Sequence, residues 1–171
     1  IEMRNGQPTG MLIDNAMSLV EKVIPEISDA LASKYFVDLQ KECFAVGLTS
    51  VHDCGVNEHT VELVDKEQKA GRLKMKWFAL LTDSSQYFER WVKKGRYKTD
   101  RLQVGGFKVY ADGALGSRGA FLKKDYSDMP GHRGFLVCDS MRLLTMAYKM
   151  RYSGLQLCTH AIGDEIGRAH V

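Results

Sequence analysis

Hydrophobic positions in this chain switch repeatedly between helical spacing and strict alternation, and each switch falls at a residue type that caps, turns or stops an element. The Asn-Gly step in Arg4-Asn5-Gly6-Gln7 predicts a hairpin turn, followed by Pro8-Thr9-Gly10-Met11-Leu12 and a short helical stretch ending near Pro25. Ser28 then caps a predicted helix with Leu31, Tyr35 and Leu39 on one stripe, and Gly47 ends it. Leu48 to Cys54 reads as a strand. Asn57 caps the next helix, with Val61 and Val64 inward and Gly71 as its stop. Leu73 to Thr82 is a strand, and Ser84 or Ser85 caps a helix carrying Tyr87, Phe88, Trp91 and Val92 as far as Gly95. A strand bearing Lys108 follows, then a glycine-rich loop from Gly113 to about Gly134. Asp139 caps a helix through Arg151 that stops near Gly154, and a strand bearing His160 comes last.

Strand and helix alternating at this spacing imply parallel pairing with right-handed crossovers. An open doubly wound sheet and part of a barrel both satisfy the pattern. Two strands carry the chemistry. In Gly105-Gly106-Phe107-Lys108-Val109-Tyr110-Ala111-Asp112-Gly113, packing of Phe107 and Val109 against covering helices turns Lys108 and Tyr110 the other way, into whatever the sheet encloses. In Leu155-Gln156-Leu157-Cys158-Thr159-His160, the two leucines share one face, and Gln156, Cys158 and His160 share the other. A lysine and a histidine therefore face one interior, and an inward ammonium is costly unless something uses it.

The stretch from Phe107-Lys108 through Asp112-Gly113-Ala114-Leu115-Gly116-Ser117-Arg118, followed about fifty residues on by His160-Ala161-Ile162-Gly163-Asp164, resembles strands four and five of the amidohydrolase superfamily, in its amidohydrolase-3 branch. The resemblance covers residues 1 to 164 and implies a partial (β/α)8 TIM barrel, strands two to five with their helices, active groups at the C-terminal strand ends. It implies that Lys108 is carboxylated by carbon dioxide and bridges divalent ions, one or two, zinc first among them, and that His160 ligates one of them. It further implies an H-x-H pair on strand one, a histidine on strand six and a strand-eight aspartate as general base. None of those segments is in this chain, so the catalytic base is expected outside it. The expected activity of the intact parent is hydrolysis of a C–N bond of amide, formamide or cyclic amide type by metal-activated water, with this fragment inactive alone.

The chemistry is consistent with that. A lysine desolvated inside a barrel has its charged form disfavoured, leaving the neutral amine that carbon dioxide needs. Carboxylate, carbamate and imidazole ligands accept zinc, iron, manganese or cobalt alike. Six further residues are ligand-supporting or substrate-binding candidates. His52 and Asp53, at the end of the predicted second strand, resemble a stretch often found in the family and suit hydrogen bonds that orient neighbouring loops. Asp112 suits a carboxylate holding a metal-bound group or Arg118, or else a turn cap. Arg118 and Tyr126 suit a substrate pocket, with Arg118 clamping a carboxylate, or loop-anchoring contacts. Asp164 closes the second motif.

Composition narrows the rest. At 171 residues, 44% hydrophobic and 26% charged, with scattered basic residues and a net charge of +3, the chain suits one globular core and carries no nucleic-acid footprint, while the resemblance implies a small-molecule substrate. Lys93-Lys94-Gly95-Arg96-Tyr97-Lys98 reads as a solvated helix end. Cys43, Cys54, Cys138 and Cys158 form no C-x-x-C pair. No run reaches membrane-spanning length, and a cytoplasmic location is expected, export staying open because the chain starts at Ile1. Residues 166–171, Ile166-Gly167-Arg168-Ala169-His170-Val171, coincide with one reading frame of a common sequencing adapter and are expected to be an artefact, leaving 1–165 as the barrel fragment. Two competing functions are a Rossmann-like nucleotide-binding oxidoreductase domain, with the Gly113 loop as phosphate site, and a catalytically inactive relative serving as a binding module. The first requires an acidic strand end about twenty residues beyond the glycines. Only Asp139, a cap, is available.

Overall fold

The computed structural model describes residues 1–84 and 86–166 and divides into two compact units. Ser85 and residues 167–171, on which part of one capping expectation and most of the adapter stretch fall, lie outside the described residues. The first unit comprises 1–25, 110–143 and 159 onward; the second comprises 26–109 and 144–158.

In chain order the elements are β1 (Met3–Arg4), β2 (Gln7–Pro8), a 3-10 turn (Asp14–Met17), α1 (Ser18–Glu21), α2 (Asp29–Ala45), β3 (Ser50–Val56), α3 (Glu58–Lys69), β4 (Lys76–Thr82), α4 (Phe88–Lys94), β5 (Tyr97–Lys98), β6 (Leu102–Tyr110), α5 (Ser140–Arg151) and β7 (Gln156–His160).

The second unit is built on a sheet ordered β3-β4-β6-β5, with β7 also paired to β6. The β3/β4 and β4/β6 pairs are parallel, and the short β5 is antiparallel to β6. The fold class is therefore mixed α/β with a parallel sheet, as the strand-helix alternation requires. Trp77, Ala79, Leu81, Leu102, Val104, Phe107 and Val109 are buried on one face, under helices. Phe36 of α2 meets Trp77 edge-on at 5.5 Å between centroids, and Phe88 of α4 meets Phe107 at 4.9 Å. The register skips one residue between Val104 and Gly106 against Ala79 and Leu80. Gly105 occupies this bulge because a Cβ there would collide with the Phe78 ring.

Helix ends follow the local chemistry. Ser28 accepts from the Leu31 amide at 3.4 Å and Asn57 from the Thr60 amide at 2.7 Å. Gly47, Gly71, Gly95 and Gly154 all have positive φ just beyond helices.

Several boundaries differ from expectation. The strand predicted from Leu48 begins at Ser50, because the Leu48 amide is spent on the Cys43 carbonyl, closing the helix stop. The strand predicted from Leu73 begins at Lys76, because the Lys74 and Met75 amides both donate to the buried Gln40 side chain of α2. Leu31, Tyr35 and Leu39 are exposed; α2 presents Ser33, Phe36 and Gln40 inward instead. α4 starts at Phe88 with Tyr87 at its N-cap, and Ser84 leads into it, its hydroxyl accepting from the Gln86 amide at 3.3 Å and its carbonyl from the Tyr87 and Phe88 amides.

The first unit has little regular structure. Its hairpin β1/β2 turns through Asn5 and Gly6, both at positive φ, as the Asn-Gly step predicts. Beyond that, among the described residues, it holds α1, the 3-10 turn, the long loop after β6, the first turn of α5 and the end of β7 with the residues that follow it. Among the described residues no helix is long and apolar enough to cross a membrane.

Candidate active site

β6 fixes Lys108. Phe107 and Val109 on either side are buried, 0% and 1% exposed, so alternation turns Lys108 onto the other face, half-buried and in register with Thr82. The pairing Cys54, Leu80, Gly106 lies two residues away and puts Cys54 on the same face. Burial pushes the Cys158 thiol up, the neighbouring Cys54 adds to this, and Lys108 opposes it, which places all three side chains within electrostatic reach. All four cysteines are free.

His52 and Asp53 sit in the middle of β3 rather than at its end, and they point to opposite faces. His52 is exposed, its ring 4.9 Å from Phe78. Asp53 is on the helix side, where burial pushes its carboxyl up and a hydrogen bond from the Trp77 indole lowers it again.

In the first unit, His160 ends β7. Its carbonyl accepts from the Ala111 amide at 2.9 Å, and its Nε2 lies 3.3 Å from the Gly113 carbonyl and 4.0 Å from Asp112 Oδ1. A carbonyl only accepts, so in the neutral ring this contact calls for the hydrogen on Nε2, with Nδ1 as the lone-pair nitrogen. Tyr110 lies alongside at 5.3 Å between ring centroids.

Asp112 is 1% exposed. Its carboxylate accepts from the main-chain amides of Phe121 at 2.9 Å, Ile162 at 3.0 Å and Gly163 at 2.7 Å. It does not hold Arg118, which directs Nε and Nη2 to Asp128 at 3.1 and 2.8 Å. Tyr126 is buried and donates to the Ala120 carbonyl at 2.8 Å; burial pushes its phenol up. Asp164 is exposed and accepts from the Lys123 amide at 2.9 Å.

One residue that sequence reading passed over joins this group. Asp14, at φ 48, lays its carboxylate over Gly113 and Gly119, where a Cβ on either glycine would collide with it. Its Oδ2 is buried without a hydrogen-bond partner. A cavity of about 580 Å3 is lined here by Asp14, Met17, Glu21, Tyr110, Val137 and His160. The available signal was the pair Gly113 and Gly119, spaced for a contact and not for a phosphate turn. With an acid on those glycines and no helix following them, the loop is ill suited to phosphate, which removes the basis of the nucleotide-binding alternative.

A family model described as the amidohydrolase family matches residues 1–170. The chain belongs to that family. This amidohydrolase chain is 32% identical over 163 residues to YtcJ of Bacillus subtilis, whose name places it among the amidohydrolases, covering 94% of the chain and 31% of YtcJ. It is 31% identical over 177 residues to LONG AFTER FAR-RED 3 of Arabidopsis thaliana, covering 96% of the chain and 30% of that protein. Crystal structures of uncharacterized metal-dependent hydrolases from Pyrococcus horikoshii OT3 and Pyrococcus furiosus share the fold, with TM-scores of 0.80 and 0.78 and identities of 30% and 28%. They cover 91% and 90% of the chain, and the chain covers 32% and 33% of them. The chain thus spans about a third of the length of the relatives it matches.

Whether its residues fit a metal ion is decided by the donors. Among the described residues no three His, Cys, Asp or Glu side chains cluster to hold one. His160 nevertheless offers a directed Nδ1, the lone-pair nitrogen of the neutral ring, and Lys108 offers an amine on the sheet face away from the helices. Each is suited to contribute one donor to a larger set.

Proposed function

We propose that this chain is the part of a metal-dependent amidohydrolase that supplies two of its metal ligands, Lys108 as its carbamate and His160 through Nδ1, within strands two to five of a (β/α)8 barrel. The observation that carries the reading is the environment of His160: a ring whose Nε2 proton is committed to the Gly113 carbonyl, beside the glycine-bearing loop that follows the lysine strand. The family match and the metal-dependent hydrolases of like fold support it. The reaction is hydrolysis of a non-peptide C–N bond of amide, formamide or cyclic amide type in a small molecule.

Carbamate and imidazole donors would hold one or two divalent ions, with zinc the one expected from the family resemblance, and such an ion, when bound, would supply a lowered pKa for water and polarisation of the scissile carbonyl. The chain's own residues do the rest of the work available here. Lys108 is held half-buried by β6; carboxylation would proceed from its neutral amine, whose nitrogen attacks the carbon of carbon dioxide, loses a proton to solvent, and becomes an anionic carbamate with two oxygen donors. Tyr110, Met17 and Val137 give the cavity beside His160 apolar walls for the substrate. Arg118, committed to Asp128, anchors its loop rather than clamping a substrate carboxylate.

The test uses a protein of the relatives' length carrying this chain, assayed for bound metal and for hydrolysis of an amide and formamide panel. Lys108→Ala and His160→Ala each should lose metal and activity while staying folded, with Lys108→Ala partly restored by short carboxylic acids that replace the carbamate. Wild-type turnover in both variants would sink the reading. Unchanged metal content in Lys108→Ala would sink the bridging role. A wild-type protein holding no metal would favour the inactive binding module.

A further inference from the structure

We propose that Asp112 is the positioning residue of His160: with Ala111 and Gly113 it sets the tautomer and direction of the imidazole before any ligand arrives. The proposal rests on the metal-ligand reading only for what the ring is prepared to bind; the preparation itself is a property of the chain.

Three consecutive residues grip one side chain's surroundings from three directions. The Ala111 amide holds the carbonyl of His160 at 2.9 Å. The Asp112 carboxylate takes the next two amides that can face it, Ile162 at 3.0 Å and Gly163 at 2.7 Å. The Gly113 carbonyl receives the ring itself at 3.3 Å. The carbonyl of His160, the backbone that follows it and the ring tip are therefore tied to a single tripeptide, and the position of Nδ1 follows with little remaining freedom.

The carboxylate has to be a carboxylate. Three main-chain N–H groups converge on its two oxygens, with Phe121 and Gly163 sharing Oδ2. An asparagine would present an NH2 to at least one of them and leave a buried donor facing a donor. The oxygens lie in a place with almost no solvent, since Asp112 is 1% exposed, so its negative charge is unscreened where it meets the ring 4.0 Å away. That charge favours the tautomer with hydrogen on Nε2, which is the one the Gly113 carbonyl also requires.

The main chain around the clamp is closely packed. A Cβ on Gly163 would run into the Phe121 carbonyl, and one on Gly134 into the Ala120 carbonyl. Main chain from 119–121 and from 161–163 is thus pressed together on the same oxygen, and Tyr126 pins the first of these through Ala120. A residue serving only as a turn cap would need one of these amides. Asp112 takes amides from segments 9 and 51 residues away.

The experiment is tautomer determination by long-range 1H–15N NMR on the full chain labelled with 15N-histidine, above the pH at which imidazole is neutral, in wild type and Asp112→Asn. The expected result is an Nε2–H resonance pattern for His160 in the wild type, and loss of that preference, with a mixed tautomer, in Asp112→Asn. A folded Asp112→Asn with the wild-type tautomer overturns the proposal and reduces Asp112 to a loop tether. Should Asp112→Asn not fold, Asp112→Ser decides by the same readout: a mixed or Nδ1–H ring upholds the role of the carboxylate, and a fixed Nε2–H ring, or an Nδ1–H ring in the wild type, overturns it. No metal or turnover enters the readout, so failure here is separable from failure of the hydrolase assignment.

Discussion

The two units of this chain are stabilised by opposite means. In the unit built on the sheet, burial is apolar: Val61, Leu63, Val64, Leu73, Met75 and Phe107 are almost wholly shielded, and the polar residues inside, Gln40 and Glu67, serve helix and loop ends. In the other unit the buried hydrophobic residues are Ala111, Ala120 and Tyr126, and order comes from main-chain amides gathered on one carboxylate. The lesson is a division of labour. Apolar packing is non-directional and makes a frame; hydrogen bonds to a buried anion are directional and can aim a ring. His160 belongs to the unit held by directional bonds, as a residue that must present one nitrogen should.

That contrast can be broken most severely at Asp112. Each orphaned buried N–H costs about 1–3 kcal/mol, so Asp112→Ala should destabilise its unit by about 5 kcal/mol, read as lost hydrogen-exchange protection at Phe121, Ile162 and Gly163. A loss under about 1 kcal/mol would mean that this unit is held by something other than the carboxylate. The matching change in the sheet unit is Phe107→Ala, which removes a fully buried ring packed on Phe88 and should cost about 4 kcal/mol, measured by denaturant titration. Asn57→Ala removes the N-cap of α3 and should cost about 1 kcal/mol by the same measurement.

A pH experiment sharpens the comparison inside the apolar unit. The Arg72 guanidinium, bonded at 2.5 and 2.8 Å, holds the Glu67 carboxyl below its usual range, against a burial effect that raises it, with Ser33 adding a further bond. A lowered native value means that the stabilisation is present above the ordinary carboxylate value and is lost as pH falls through the native one. Wild-type stability should therefore drop on acidification below that range more steeply than that of Glu67→Gln, and equal slopes would contradict the pairing. The smallest effect is expected at Arg118→Ala, whose exposed bond to Asp128 is screened by solvent, and whose melting temperature should match wild type within error.

What the residues declared by themselves was local. Caps at Ser28 and Asn57 and stops at Gly47, Gly71, Gly95 and Gly154 act within four or five residues, so their chemistry is complete in the sequence. Alternation around Lys108 was equally legible, since Phe107 and Val109 can be buried together only if Lys108 turns away. The motifs at Lys108 and His160 named the family before any fold was known. Tertiary structure alone chose the inward face of α2, where Phe36 and Gln40 win over the leucine stripe because Trp77 and the amides after residue 73 offer them partners. It alone separated His52 from Asp53, laid Asp14 over two glycines, and gathered onto Asp112 three amides from distant segments. Contacts between residues dozens of positions apart leave no period in the sequence, and a buried carboxylate reads the same as a surface one until the chain has closed around it.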